Sequence, residues 1–214
     1  YPNEFCTMFT RKPGNAAVEP YAIDEVFARY ININKQKIRG YDLLVRYEDD
    51  FSFGKLTLES QVTYMKEDVQ QLFDSPLAGG TNITDYVRGI GRPKTVGNLI
   101  ASLERGDWTY NWGIDFVDST RRLTPLTSTG SYTYFGHPNA VVDTKADSRT
   151  YHTVSVEYDQ PKWSFLMGIR NLLNTKPDTI SAAAGYNRYG NVPVSATQYD
   201  YLGVSLFARL NYKF

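Results

Sequence analysis

YDYLGVSLFARLNYKF, residues 199–214, alternates all the way to its end. Counting back by twos from Phe214 gives Tyr212, Leu210, Ala208, Leu206, Val204 and Leu202, all apolar or aromatic. The other parity holds Lys213, Asn211, Arg209, Ser205 and Gly203, with Phe207 and Tyr201 as exceptions. A strand points alternate side chains to opposite faces, so this reading predicts one face that is apolar throughout. At about 3.3 Å per residue the strand reaches roughly 50 Å, far longer than a strand of a soluble sheet. Length, alternation and a terminal aromatic ring together predict a strand of a transmembrane β-barrel.

Composition narrows the classes. Among 214 residues, 23 Lys and Arg balance 23 Asp and Glu, so nothing favours a general attraction to nucleic acid. No run approaches the roughly 18 apolar residues of a membrane helix. That argues against helical spans and says nothing against a barrel, whose strands are only half apolar. Seventeen Tyr fit the aromatic rings that barrels place at both membrane boundaries, though a Tyr-rich soluble sandwich satisfies composition equally well. The chain opens at Tyr1 without an initiator Met or a signal region, so a processed or truncated exported chain is expected. Cys6 either pairs with a cysteine upstream of Tyr1 or stays a free thiol, and no metal-ligand spacing surrounds it.

Seven segments read as strands, at about 26–50, 54–70, 93–106, 108–121, 148–160, 162–175 and 199–214. DDFSFG (49–54), RGD (105–107) and DQPK (159–162) are tight turns; between them lie long links at about 71–92, 122–147 and 176–198. Short turns on one side and long loops on the other fit an all-β transmembrane antiparallel barrel, with short periplasmic turns and long extracellular loops. Parity holds along the strands. Tyr41, Leu43, Val45 and Tyr47 share a face, as do Leu56, Leu58, Val62 and Tyr64, and Trp108, Tyr110, Trp112, Ile114 and Phe116. Val154, Val156 and Tyr158 behave likewise, as do Trp163, Phe165, Met167 and Ile169. Leu202, Leu206 and Leu210 are expected on the same lipid-facing side.

The apolar-face rings nearest the tight turns are Tyr47, Trp108, Tyr158, Trp163, Tyr212 and Phe214, expected at one height as an interfacial girdle. Seven antiparallel strands leave the first and last running the same way, so a larger barrel is expected around them.

YININKQKIRGYDLLVRYE (30–48) resembles a late barrel strand of TonB-dependent receptors, in which a Gly precedes an acidic residue. WSFLMGIRNLLNTKP (163–177) is similar to their penultimate strand, with its Arg-Asn-Leu-hydrophobic-Asn-x-x-Pro ending. YDYLGVSLFARLNYKF resembles their final strand, although Val204 and Ser205 stand where an Arg commonly follows the Gly. FCTMFTRKPGN (5–15) is similar to a cysteine-bearing external loop. The resemblance implies the last seven strands of a 22-stranded barrel plugged by an amino-terminal domain. It implies energised import of a scarce nutrient: a siderophore, cobalamin or an oligosaccharide. The implied partners are the plug and the rest of the barrel, the TonB energy-transducing protein met by a segment before Tyr1, and outer-membrane lipid. Tyr212 and Phe214 resemble the terminal signal read by the barrel-assembly machinery.

No catalytic set is legible, no cofactor is implied, and no enzyme is expected. His137 and His152 are too few for a His-rich metal site, and His152 reads as an interfacial or solvated side chain. GIGRPK (89–94) reads as a loop entering a strand, not a phosphate cradle. The candidate ligand residues lie in two links: Tyr132, Tyr134, Phe135 and His137, and Tyr186, Asn187, Arg188 and Tyr189. Rings beside amides and a guanidinium stack on a ligand while bonding its polar edge; packing of the loops themselves is the other reading. Asp42, Arg46, Glu48, Glu59, Asp115, Glu157 and Arg209 face the other way and are expected to bond the plug or luminal water. A passive porin-like channel and a soluble carbohydrate-binding sandwich are the alternative functions.

Overall fold

The computed structural model describes residues 7–15, 17–28, 35–71, 83–123, 132–134, 137–140, 143–181, 191–194 and 198–213. Contacts divide the chain into two units, residues 1–37 with 69–85 and residues 38–68 with 86–214. In the first, Phe9–Arg11 pairs antiparallel with Ile23–Val26, and Ile83–Asp85 pairs with residues 69–71. The second carries the main sheet.

That sheet is built on seven strands: β1 (Lys35–Phe51), β2 (Gly54–Gln71), β3 (Thr95–Arg105), β4 (Trp108–Val117), β5 (Arg149–Asp159), β6 (Trp163–Arg170) and β7 (Ser205–Tyr212). Each lies beside the next in chain order, an antiparallel meander from β1 to β7. Two or three residues connect β1 to β2, β3 to β4 and β5 to β6, whereas the links after β2, β4 and β6 are long. Every tight turn therefore falls at one end of the sheet. β1 and β7 run in the same direction, and among the described residues neither has a partner on its outer edge.

Register decides which side chains share a face. Leu56 lies opposite Leu103, Leu103 opposite Tyr110, and Tyr110 opposite Val156. Val156 faces Met167, which faces Ala208. Directly opposed residues of an antiparallel pair project to the same side, so the apolar parities of separate strands merge into one face. That face is uncovered: Leu206 is 79% exposed, Leu210 70%, Met167 49% and Trp112 47%. Among the described residues only Val117, Ala146, Tyr151, Val194 and Tyr199 form buried apolar positions. Among the described residues no second layer packs on the apolar face of this sheet.

Four strand boundaries differ from the sequence reading, each for a local reason. Ile23–Val26 belongs to the first unit's hairpin, so β1 starts at Lys35 and not at 26. β4 stops at Val117, and Thr120–Arg121 pairs instead with Lys145–Ala146. β6 stops at Arg170 because Asn171 and Asn174 take left-handed φ values of 50° and 53°. The final strand begins only at Ser205, since Asp200 Oδ1 accepts hydrogen bonds from the Leu202 and Gly203 amides at 2.8 and 3.3 Å. Those amides are turned away from the ladder, an Asx-type turn. Leu202, expected on the apolar face of β7, lies in this turn instead, 89% exposed.

Phe207, the apolar residue on the polar parity of β7, has a structural seat. It is paired with Gly168 across β6 and β7. A Cβ on Gly168 would run into Phe207 Cζ and lie 2.6 Å from the Val154 carbonyl oxygen, so only glycine leaves room for the ring there. The Arg170 guanidinium stands 5.2 Å from the same ring centroid. Gly168→Val in the full-length receptor is expected to destabilise the β6–β7 pairing by about 1–3 kcal/mol, the usual cost of overpacking. Denaturant unfolding checks this; Phe207→Ala added to Gly168→Val should recover part of the loss, because the backbone clash remains.

Candidate functional site

The polar face is built from the parity opposite the apolar one. Along β1 and β2 its charges engage one another. Arg46 Nη1 reaches Glu59 Oε1 at 2.6 Å, Arg46 Nη2 reaches Glu48 Oε2 at 2.7 Å, and Lys55 Nζ reaches Glu48 Oε1 at 2.5 Å. The Gly-Tyr-Asp of β1 acquires a physical reason here. A Cβ on Gly40 would meet the Tyr64 carbonyl oxygen of β2 at 2.8 Å, while Asp42 Oδ1 accepts a hydrogen bond from the Thr63 hydroxyl at 2.6 Å. Asp115, Glu157 and Arg209 differ: their side chains have no partner among the described residues.

At the long-link end of this face, residues 198–203 and the Asn171 turn form a wall. Asn171, only 2% exposed, holds that wall together. Its Nδ2 donates to the Thr175 carbonyl and to Asp200 Oδ2, both at 2.9 Å, and its Oδ1 accepts from the Thr175 amide at 2.8 Å. Asn at a left-handed position is favourable because its short amide bonds nearby backbone. Beyond it, Gln198 Nε2 donates to the Gly91 carbonyl at 3.1 Å, and the Tyr199 and Thr120 hydroxyls meet at 3.4 Å. Tyr199 packs with Val117, Ala146 and Val194, the small buried apolar cluster among the described residues. The Tyr201 hydroxyl donates to the Val194 carbonyl.

This wall and the strands enclose a cavity of about 610 Å³. Gln61 and Thr63 line it from β2, Asn98 from β3, Asp115 from β4, Tyr151 and Thr153 from β5. Two smaller cavities of about 410 and 350 Å³ adjoin it on the strands, and Asn98 borders all three. Amides and hydroxyls predominate on this surface, with two carboxylates, Asp115 and Asp200, and the Arg170 guanidinium beside them in the main cavity, and Arg46 and Glu59 at the third. Away from the strands, the Lys145 ammonium lies 2.7 Å from Asp147 and holds that carboxyl below its usual range, by its hydrogen bond first and its charge second.

Of the residues singled out from sequence, the rings near the tight turns are the ones the structure brings together. Trp108 and Tyr158 are opposed across β4 and β5 with ring centroids 4.6 Å apart, and Tyr158 and Trp163 lie 5.4 Å apart. Trp163 is opposed by Tyr212. These rings form a row at the tight-turn end; Tyr47, on β1, hydrogen-bonds Asp49 at 3.0 Å near its own tight turn. Phe214 lies outside the described residues, as do Cys6, Phe135, Tyr186, Asn187, Arg188 and Tyr189. Tyr132–Tyr134 pairs with His137–Ala140 as a small backbone hairpin. His152 accepts a hydrogen bond at Nδ1 from Trp112 Nε1 at 3.2 Å, so it is satisfied on the apolar face, and no group of metal-ligating side chains occurs among the described residues.

The residues that build the cavity wall were not singled out as functional by sequence. Asn171 stood in a quoted motif without a role. Gln198 gave no signal, since its partner Gly91 is 107 residues away.

A meander with one uncovered apolar face and one polar, cavity-bearing face describes the wall of a membrane-type β-barrel. The family model "TonB dependent receptor-like, beta-barrel" matches residues 7–172, and the chain belongs to that family. No curated protein and no solved structure matches it. Members of the family are outer-membrane receptors, which accounts for strands rather than helices as the apolar elements.

Asn171→Ala is expected to remove three hydrogen bonds and leave the Thr175 amide without its acceptor, a loss on the order of 2–3 kcal/mol. Hydrogen exchange on the full-length receptor reads it out: the Leu202, Gly203 and Thr175 amides should exchange faster while the β3–β4 amides do not.

Proposed function

We propose that this chain supplies the carboxyl-terminal strands of a plugged, 22-stranded outer-membrane barrel that imports a scarce nutrient with energy from TonB. The carrying observation is the continuous, uncovered apolar face that register builds from six strands, β2 to β7, in a chain of this receptor family. That face meets lipid, and the aromatic row at the tight-turn end sits at the periplasmic boundary. The plug, the earlier strands and the segment that meets TonB lie elsewhere in the full-length receptor. The polar face then borders the lumen, and the chain contributes no catalysis. The alternative is a passive channel, which shares the strands but lacks energy coupling.

Energy dependence separates the two. Uptake by cells carrying the full-length receptor is expected to stop when TonB is deleted; uptake that persists at the same rate contradicts the receptor reading.

Assembly supplies a second expectation. Deleting Phe214 should lower the outer-membrane level of the full-length receptor far more than Phe73→Ala does, because the terminal ring is read during barrel assembly. Immunoblots of the outer-membrane fraction decide it, and equal levels contradict the role.

The loop residues Tyr132, Tyr134, Phe135 and His137, with Tyr186, Asn187, Arg188 and Tyr189, are proposed to face ligand above the lumen. Tyr134→Ala with Tyr189→Ala should weaken binding roughly tenfold at normal surface level. Unchanged affinity would leave these rings as loop packing.

A further inference from the structure

We propose that the linked cavities on the polar face are a subsite for a neutral, chain-like, hydroxyl-rich ligand, an oligosaccharide, with Asp115 as its central acceptor. This rests on the import reading above and names the substrate class of that site.

Asp115 is the first reason. Glu48, Glu59 and Glu67 each pair with a cation, and Asp42 accepts from Thr63. Asp115 borders the two larger cavities with no side-chain partner among the described residues. An ionised carboxylate accepts hydrogen bonds at both oxygens and donates none, and adjacent sugar hydroxyls satisfy both.

The company it keeps is the second. Asn98 and Gln61 offer amides, and Thr63 and Thr153 offer hydroxyls, groups that both donate and accept. Among the described residues Arg170 is the one cation lining the largest of the three, where it already stands over the Phe207 ring, and Arg46, at the third, is paired with Glu48 and Glu59. A polyanionic chelate entering here meets a carboxylate and little positive charge to offset it, which is unfavourable.

Shape is the third. A volume of about 610 Å³ lies within the usual range for ligand sites, and the adjoining cavities of about 410 and 350 Å³ extend it along the strands past Asn98. Gly113 borders the second of these without a side chain to fill it. A linear ligand occupies such a series; a compact one fills only the first. Beneath the same wall, the Gln198 side-chain carbonyl is buried without a hydrogen-bond partner among the described residues. Unsatisfied groups of this kind cost free energy and concentrate at functional sites.

The test uses the full-length receptor in detergent and isothermal titration with neutral gluco-, xylo- and manno-oligosaccharides of two to six units, a ferric tris-catecholate and cyanocobalamin. Binding to a neutral oligosaccharide that tightens with length is expected. Asp115→Ala should weaken it about tenfold or more, with Asp115→Asn intermediate because the amide oxygen still accepts. Thr153→Val, on the neighbouring strand, should weaken it to a smaller degree. Denaturant midpoints matching the parent show that the variants are folded. The proposal is overturned if no neutral oligosaccharide binds, or if binding is indifferent to both Asp115→Ala and Thr153→Val. Tight binding of the chelate or cobalamin alone, with TonB-dependent uptake of it, overturns the substrate class and leaves the import reading standing. Oligosaccharide uptake that ignores TonB deletion sinks the import reading instead.

Discussion

Everything in this sheet depends on register. A strand whose one face is apolar and uncovered has no freedom to slip, because a shift of one residue sends every Leu, Trp and Met to the polar side. The backbone ladder between neighbours fixes that register and also satisfies the amide and carbonyl groups that lipid leaves without partners. Two requirements, paired backbone and constant parity, therefore select the same arrangement. The tight turns make this local: each hairpin sets its own register within two or three residues, and only the pairings across the long links require distant segments to find one another.

The two ends of the sheet consequently do different work. At the tight-turn end, Trp108, Tyr158, Trp163 and Tyr212 form a row of amphipathic rings suited to a boundary between apolar and aqueous phases. At the other end, backbone leaves the ladder at Asn171 and Asp200 and becomes a wall for a polar cavity. Non-ladder backbone is tolerable there because side-chain amides and carboxylates satisfy it locally. The aromatic row and the cavity wall are separated along the strands by roughly 25 Å, at about 3.3 Å per residue.

Period-two patterning made the strands legible, since parity needs no knowledge of partners. Val156 and Met167 could be placed on one face from sequence, and the register puts them opposite one another. The ends of strands were less legible. Alternation through Leu202 and Val204 looks like strand, yet the Asp200 carboxylate captures the amides that a ladder needs. Similarly, Asn171 within RNLLNTKP reads as a continuing strand until its left-handed backbone is seen. The cavity was illegible for another reason. Gln61, Asn98, Asp115 and Thr153 come from four strands, and their convergence is a property of register between them and not of any one segment. The aromatic loop residues drew attention because rings are conspicuous in a sequence, whereas a carboxylate such as Asp115, without a partner among the described residues, is conspicuous only in three dimensions.

The common direction of β1 and β7 has a consequence for any closed form of this sheet. An antiparallel ring that carries β7 round to β1 must insert an odd number of strands, whatever their source. One inserted strand gives the smallest ring, whose interior is just wide enough for its own side chains or one small guest. Arg46, Glu59, Arg209 and Phe207, on the parity opposite the apolar face, would all share that space. An odd number of further strands is thus the closure condition that the direction of β1 and β7 imposes on this segment.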